Sequence, residues 1–415
     1  MKTAALLLRS GLCLAVFLFA AAPGLSARPA RRTRTPRVAA ALANPGPAPV
    51  VLEGKIPLPA DVPPAPTLPD ASSYVLMDFA TGTVIAAKAP HLHLPPASLT
   101  KLMTVYLTYR AIKAGTLPLD RSVAVSTAAW RAGGSRMFID PATPVTIKDL
   151  ISGLTIDSGN DAAVALAQAV AGTRASFTAM MNHRAALLHL GDTHYANVDG
   201  LPDPDLYTSA LDVARLSRAI IEAFPEILKI SKQQTFTYDN ITQRNWNPVI
   251  FRDSSVDGLK TGLTKESGHC IDATALRGGR RLIAVVMGGP SWRASADDIE
   301  ALLDYGYRFF QNRTVMTAGE AVGAIDNPLL SPVHVPVGPA ETVTLTLPAS
   351  KKLALGKSLH LDPVPDGRIA KGAVVGKVAI DLDGKTYETV PAVTLLAAAP
   401  AGLEQRLLYK IKSLL

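Results

Sequence analysis

Apolar and polar positions fall into short runs from Ser73 onward, and their period changes along the chain. Tyr74-Val75-Leu76-Met77-Asp78 and Thr83-Val84-Ile85-Ala86 flank the turn residues Ala80-Thr81-Gly82, which is the pattern of a hairpin. Leu99, Leu102, Met103, Tyr106 and Leu107 then recur at helical spacing between Pro95-Pro96 and Gly115, predicting a helix over residues 98–114 buried on that stripe. Thr146-Ile147-Lys148-Asp149 has capping-box spacing, with Asp where Glu is usual, and opens a short helix ending near Leu154. A loop over 155–160 follows, then an alanine-rich helix over 161–170 stopped at Gly172, and another over 211–223 ended by Pro225. After Gln234 the period shortens: strands are predicted over 235–238, 256–261, 270–276 and 282–287, the last two joined by Arg277-Gly278-Gly279. Strands on both sides of a helical insert imply one sheet assembled from distant segments with helices packed on it, closed by a helix over 296–310. Residues 314–399, with the alternation of Thr342-Val343-Thr344-Leu345-Thr346-Leu347 and a turn at Asp383-Gly384, read as a small all-β domain. No fixed-period repeat is present.

The ends carry a different signal. Lys2 and Arg9 precede an apolar run over 11–22 and the small-x-small pattern Leu25-Ser26-Ala27, so residues 1–27 read as an export signal cut after Ala27. The alternative is a spanning anchor, but the run is near half of the ~20 residues a span needs, and Pro23-Gly24 breaks it. Residues 28–69 read as a proline-rich leader, which favours an extended linker. The chain has 415 residues, 48% of them hydrophobic, which is enough for two or more domains with a large core. Of two cysteines, Cys13 lies in the signal, so the mature chain holds Cys270 alone and no internal disulfide. The net charge of +8 could mark an anionic partner, yet several of its cations lie in 28–37, which reads as a solvated leader. No nucleic-acid motif occurs.

Three short motifs carry the chemistry: Ser98-Leu99-Thr100-Lys101, Ser158-Gly159-Asn160 and Lys260-Thr261-Gly262. Each has a plain reading alone: a capping serine with a surface lysine, a helix cap, and a strand edge guarded by lysine. A chain of this length holds about one Ser-x-x-Lys by chance but only about one in twenty holds Lys-Thr-Gly, so the ordered set is informative. On a helix, Ser98 and Lys101 at i and i+3 share a face, placing the amine within reach of the hydroxyl. The helix N-terminus favours a developing anion, and with burial it disfavours a charged lysine, so Lys101 can serve as a neutral base. The glycine after Lys260-Thr261 suggests close approach of a ligand backbone.

Together these residues resemble the penicillin-recognising serine enzymes. Pro96-Ala97-Ser98-Leu99-Thr100-Lys101, Ser158-Gly159-Asn160-Asp161-Ala162, Val256-Asp257-Gly258-Leu259-Lys260-Thr261-Gly262, Val286-Met287-Gly288-Gly289 and Gly306-Tyr307-Arg308-Phe309-Phe310 are similar to the low-molecular-mass D-alanyl-D-alanine carboxypeptidases. The likeness runs from Ser73 to the C terminus, including Lys371-Gly372-Ala373-Val374-Val375-Gly376, and leaves out the leader. It implies an α+β fold: a β-lactamase/transpeptidase-like catalytic domain over 70–312, with an antiparallel sheet packed by helices plus a helical subdomain. A small all-β domain over 313–400 and an amphipathic helix over 401–415 would follow. It implies peptidoglycan stem peptides as substrate and β-lactam antibiotics as inhibitors. Ser98 would be the nucleophile, Lys101 its activator and Ser158 a proton relay to the leaving amine. Asn160 would hold the substrate amide, Lys260 and Thr261 the terminal carboxylate, and the backbone N–H groups of Ser98 and Leu263 the oxyanion. Gly262 would let the substrate close on the strand. Two positions depart from the family: Leu263 stands where many relatives carry histidine, and Ser295 stands where an arginine assists the carboxylate. Arg293, two residues away, is the candidate substitute.

No cofactor or metal is implied: His91-Leu92-His93 lacks a partner at ligand spacing and reads as a surface loop. Leu403, Leu407, Leu408, Ile411, Leu414 and Leu415 share a helical face with Arg406, Lys410 and Lys412 outside it. That suits either packing on the β domain or lying on the inner-membrane surface, and the helix is too short to span. An exported protein, peripheral on the periplasmic face of the cytoplasmic membrane, is the expected location. A class A β-lactamase is an alternative function, but it needs a glutamate to position the deacylating water, and none lies between Asn160 and Glu222. A catalytically silent cell-wall binder is the other, against which stands the presence of all six motif side chains.

Overall fold

A computed structural model describes residues 61–350, 353–363 and 367–412. The export signal and most of the leader lie outside the described residues. Residues 61–69 are extended, as their prolines dictate, but they are docked: Tyr305 and Tyr74 donate to the carbonyls of Pro63 and Pro66, and Leu68 is buried.

The main sheet has five antiparallel strands in the spatial order Val84–Lys88, Ser73–Asp78, Arg280–Gly289, Gly268–Arg277, Val256–Thr264. Its outer strands thus come from opposite ends of the domain, with the helical insert between them in sequence, as the change of period predicts. Period-two alternation assigns each face. Leu76, Ile271, Ala273, Leu282, Ala284 and Val286 pack against the helix Trp292–Phe309, whereas Val75, Met77, Ile283, Val285 and Met287 join the core of the helical side. On that side sit the helices Lys101–Lys113 and Ala210–Ala223. The final helix begins four residues earlier than its apolar spacing indicates, because Ser291 caps it by accepting from the Ala294 N–H. Phe310 ends it by turning into a strand that leads to the next domain.

One expectation needs correction, and one element is additional. Thr235–Tyr238 does form a strand, but it pairs with Ile241–Arg244 as a separate hairpin and does not join the main sheet. The chain also forms a helix over Arg174–Leu187, whose buried face is only Phe177, Met181, Arg184 and Ala185, too sparse a stripe to give a helical pattern in the sequence. The C-terminal region is all-β, with a five-stranded sheet and two two-stranded ribbons among the described residues. Asp383 and Gly384, both at positive φ, form the turn joining Val374–Leu382 to Lys385–Thr394. The two domains meet through Asp78, which accepts from Arg280 Nε at 2.8 Å and Asn312 Nδ2 at 3.0 Å, and through a Thr81–Thr346 hydroxyl pair at 2.7 Å.

Candidate active site

Ser98 lies in a 3₁₀ turn, Ala97–Thr100, that runs straight into the helix Lys101–Lys113. In a 3₁₀ turn residues i and i+3 eclipse, which brings the two motif side chains together more directly than an α-helical start would. Lys101 Nζ donates to Ser98 Oγ at 2.7 Å and to the carbonyl of Asp199 at 2.7 Å. The amine is fully buried, and that desolvation lowers its pKa from 10.5 to about 7, although the Asp199 and Asp161 carboxylates pull the other way. Burial therefore wins over two nearby anions, and a large share of Lys101 is neutral near neutral pH.

The second motif closes one wall. Ser158 sits at φ 60°, a left-handed conformation uncommon outside glycine, and Ala97 beside the nucleophile sits at φ 48°. Such positions cost of order 1–3 kcal/mol each and persist where surroundings hold them. Ser135 Oγ does so for Ser158, donating to its carbonyl at 2.6 Å. Asn160, the first residue of the helix Asn160–Ala171, donates from Nδ2 to the Gly133 carbonyl at 2.6 Å. That fixes the amide and leaves its buried Oδ1 without a hydrogen-bond partner among the described residues. Asp161, fully buried, accepts from the backbone N–H groups of Met137, Phe138 and Ile139 and so ties the Ser135 loop to the same helix.

The third motif supplies the opposite wall. Lys260 and Thr261 lie on the edge strand Val256–Thr264, with Lys260 Nζ donating to Ser158 Oγ at 2.9 Å. Desolvation, reinforced by the Lys101 amine, pushes the Lys260 pKa well below 10.5, and Asp157 opposes this. Asp157 is itself pushed up to about 7 by burial and by Asp161. An entering carboxylate would favour the charged form of Lys260. Gly262 faces the nucleophile turn so closely that a Cβ there would lie 2.9 Å from the Pro96 carbonyl oxygen and 3.2 Å from Ser98 N.

Ser98, Lys101, Ser158, Lys260, Thr261, Gly262 and Leu263 thus converge, joined by hydrogen bonds or by a shared cleft of about 160 Å³, and Asn160 adjoins them through Ser135, whose carbonyl accepts its backbone N–H at 2.7 Å. Arg293 does not: it is exposed on the first turn of its helix, and its neighbour Trp292 lines the cleft instead. Ser295, at the position the likeness reserves for arginine, is buried and donates to the His269 carbonyl. Trp246, Trp292, Ser135 and the Asp199 carbonyl lie outside the motifs, and Asp161, though it stands within the quoted segment Ser158-Gly159-Asn160-Asp161-Ala162, carries no role that the sequence assigns. Trp246 could have been suspected as an aromatic in the polar run Gln243-Arg244-Asn245-Trp246-Asn247. His91 and His93 both bind Asp192, at 2.6 and 3.3 Å, so the missing acidic partner exists a hundred residues away. Among the described residues no cluster of histidine, cysteine and carboxylate side chains could hold a metal.

Residues 62–291 match the family model described as D-alanyl-D-alanine carboxypeptidase, and 310–398 match that of the penicillin-binding protein 5 C-terminal domain. The D-alanyl-D-alanine carboxypeptidase DacD of Salmonella typhimurium is 37% identical over 352 residues, 83% of this chain and 90% of that one. DacA of Escherichia coli is 35% identical over 334 residues, 79% of this chain and 83% of that one. The crystal structure of penicillin-binding protein 5 from Haemophilus influenzae superposes with a TM-score of 0.76 at 33% identity, covering 81% of this chain and 99% of that one. With the site geometry and both family models in agreement along the chain, this protein belongs to the D-alanyl-D-alanine carboxypeptidase family of serine peptidases.

Proposed function

We propose that Ser98 attacks the carbonyl of the penultimate D-alanine of a peptidoglycan stem peptide. The observation that carries this is the 2.7 Å contact between Ser98 Oγ and a fully buried Lys101 amine poised near pH 7. Lys101 takes the hydroxyl proton as the ester bond forms, and the backbone N–H groups of Ser98 and Leu263 stabilise the oxyanion, a term typically worth several kcal/mol. As the C–N bond breaks, the proton that Lys101 took is returned to the leaving nitrogen through Ser158 Oγ, which Lys260 holds in place by a hydrogen bond. Lys260 and Thr261 hold the terminal carboxylate and Asn160 the peptide amide. Water then hydrolyses the ester and frees the enzyme.

A β-lactam enters by the same attack. No carboxylate lines the cleft among the described residues, so no group is placed to drive rapid deacylation, and the penicilloyl ester is long-lived. On incubation with bisacetylated Lys-D-Ala-D-Ala, mass spectrometry should show loss of one alanine, and Ser98→Ala should show neither that loss nor a covalent fluorescent-penicillin band. An intact peptide with the parent protein would leave only a silent binder.

Residues 1–27 direct export, and the chain works on the periplasmic face of the cytoplasmic membrane, held there by its last helix. Supporting this, Leu403–Lys412 is helical, and Leu403 and Leu407 are 88% and 62% exposed although the helix touches the β domain through Gln405. No helix among the described residues is long and apolar enough to cross a membrane. The protein should cosediment with anionic lipid vesicles and lose that property when truncated after Ala401. Equal sedimentation of both forms would refute the tether.

A further inference from the structure

One buried acid beside the site has no part in the mechanism above. Asp157 precedes Ser158, after the helix Ile147–Thr155 has ended and before Asn160–Ala171 begins. Its side chain is buried, and Oδ1 has no hydrogen-bond partner among the described residues. Its backbone is fixed, because Trp246 Nε1 donates to its carbonyl at 3.2 Å. A buried carboxyl oxygen left without a donor is costly, and the offset here is a cation nearby.

The charges around the two lysines divide into two sets. Asp199 and Asp161 act on the Lys101 amine, whereas Asp157 is the carboxylate that acts on Lys260. Asp161 also opposes Asp157, but its own oxygens are taken up by the N–H groups of Met137, Phe138 and Ile139, with Arg136 3.7 Å away. Lys260 for its part lies near the Lys101 amine, which disfavours a second positive charge. Without an anion on its side Lys260 would give up its proton more readily, and a neutral amine holds a carboxylate far more weakly than an ammonium does.

We infer that Asp157 is a positioning residue that keeps Lys260 charged, and so sets how tightly the substrate's terminal carboxylate is held. It does not line the cleft, so it acts through Lys260 and not on the substrate. The inference rests on the assignment of Lys260 to that carboxylate in the function proposed above. Its pH dependence has a definite sign. Burial and Asp161 push the Asp157 carboxyl up to about 7. Below that value the group is neutral, and an amide in its place changes little. Above it the anion forms and retains the Lys260 proton against burial and the Lys101 amine.

The test uses two thioester substrates with the same acyl half. The leaving group of one ends in a carboxylate, and in the other that carboxylate is a methyl ester; thiol release is followed between about pH 5.5 and pH 8.5. Asp157→Asn should raise KM for the carboxylate substrate about 10-fold near pH 8, the equivalent of one pKa unit, and leave it unchanged near pH 5.5. On that substrate kcat, and on the ester both constants, should stay within about twofold of the parent at every pH. In the parent, preference for the carboxylate substrate should persist to about pH 8, a readout that needs no variant. The inference alone is overturned by a parent preference already lost below about pH 7, or by a variant effect that is absent, equal at every pH or equal on both substrates. A parent indifferent to the carboxylate would remove the role given to Lys260, and one that cleaves neither substrate would remove the carboxypeptidase mechanism; this inference falls with either.

Discussion

Replacing Lys101 by methionine is expected to lower acylation of Ser98 by roughly 10³-fold without unfolding the protein. The amine is fully buried, so its long stem already fills apolar space that methionine can occupy at nearly the same volume. Two hydrogen bonds are lost, to Ser98 Oγ and to the Asp199 carbonyl, but so is the cost of burying an ionisable group. The melting temperature should stay within a few degrees of the parent, while the rate constant for penicillin acylation, followed by stopped-flow fluorescence, collapses. A variant that acylates within tenfold of the parent would assign the base elsewhere.

Gly200→Ala is the second change with a large expected effect, at a position no motif marks. Gly200 adopts φ 90°, and its amide is held by Asn197 Oδ1 at 2.7 Å. A methyl group there would land on the carbonyl of Ala97 and within 3.0 Å of Ser98 N, both backbone atoms of the nucleophile turn. Neither can retreat without moving Ser98, and a displacement near 1 Å can cost about 10²-fold in rate. The variant should acylate about 10²-fold more slowly and melt several degrees lower. Gly191→Ala is the control: its added methyl meets no atom within 4 Å, so both quantities should be unchanged. An active, stable Gly200→Ala protein would mean that the loop and the nucleophile turn are not rigidly coupled.

Much of this site was legible because each motif carries a local signature. Ser98 and Lys101 are three residues apart, and Lys260-Thr261-Gly262 stands on a strand whose apolar residues announce it. The same holds for the fold: Tyr74 to Ala86 and Arg277-Gly278-Gly279 are hairpins in which pattern and turn chemistry agree. Features that depend on chain returning from afar were not legible. Asp192 meets His91 and His93 across about a hundred residues, and the carbonyl that holds Lys101 belongs to Asp199, ninety-eight residues on. Arg293 is instructive in another way: the sequence offers a cation two residues from the reserved position, yet that position is held by buried Ser295, Trp292 lines the cleft and Arg293 is exposed. The hairpin Thr235–Tyr238 and Ile241–Arg244 shows that a correct strand does not name its sheet, since pairing partners are set by tertiary packing.

The protonation state of Lys101 in the free enzyme decides the mechanism, and the pH dependence of acylation reads it. Only the neutral amine can accept the Ser98 proton, so the rate must rise as pH passes the pKa of Lys101 and level off above it. Rates of acylation by a fluorescent penicillin, measured from pH 5 to pH 10, should therefore follow a single ionisation centred near pH 7, the value to which burial lowers this amine. A profile flat across that range, or one still climbing toward the ordinary lysine value of 10.5, would contradict the account.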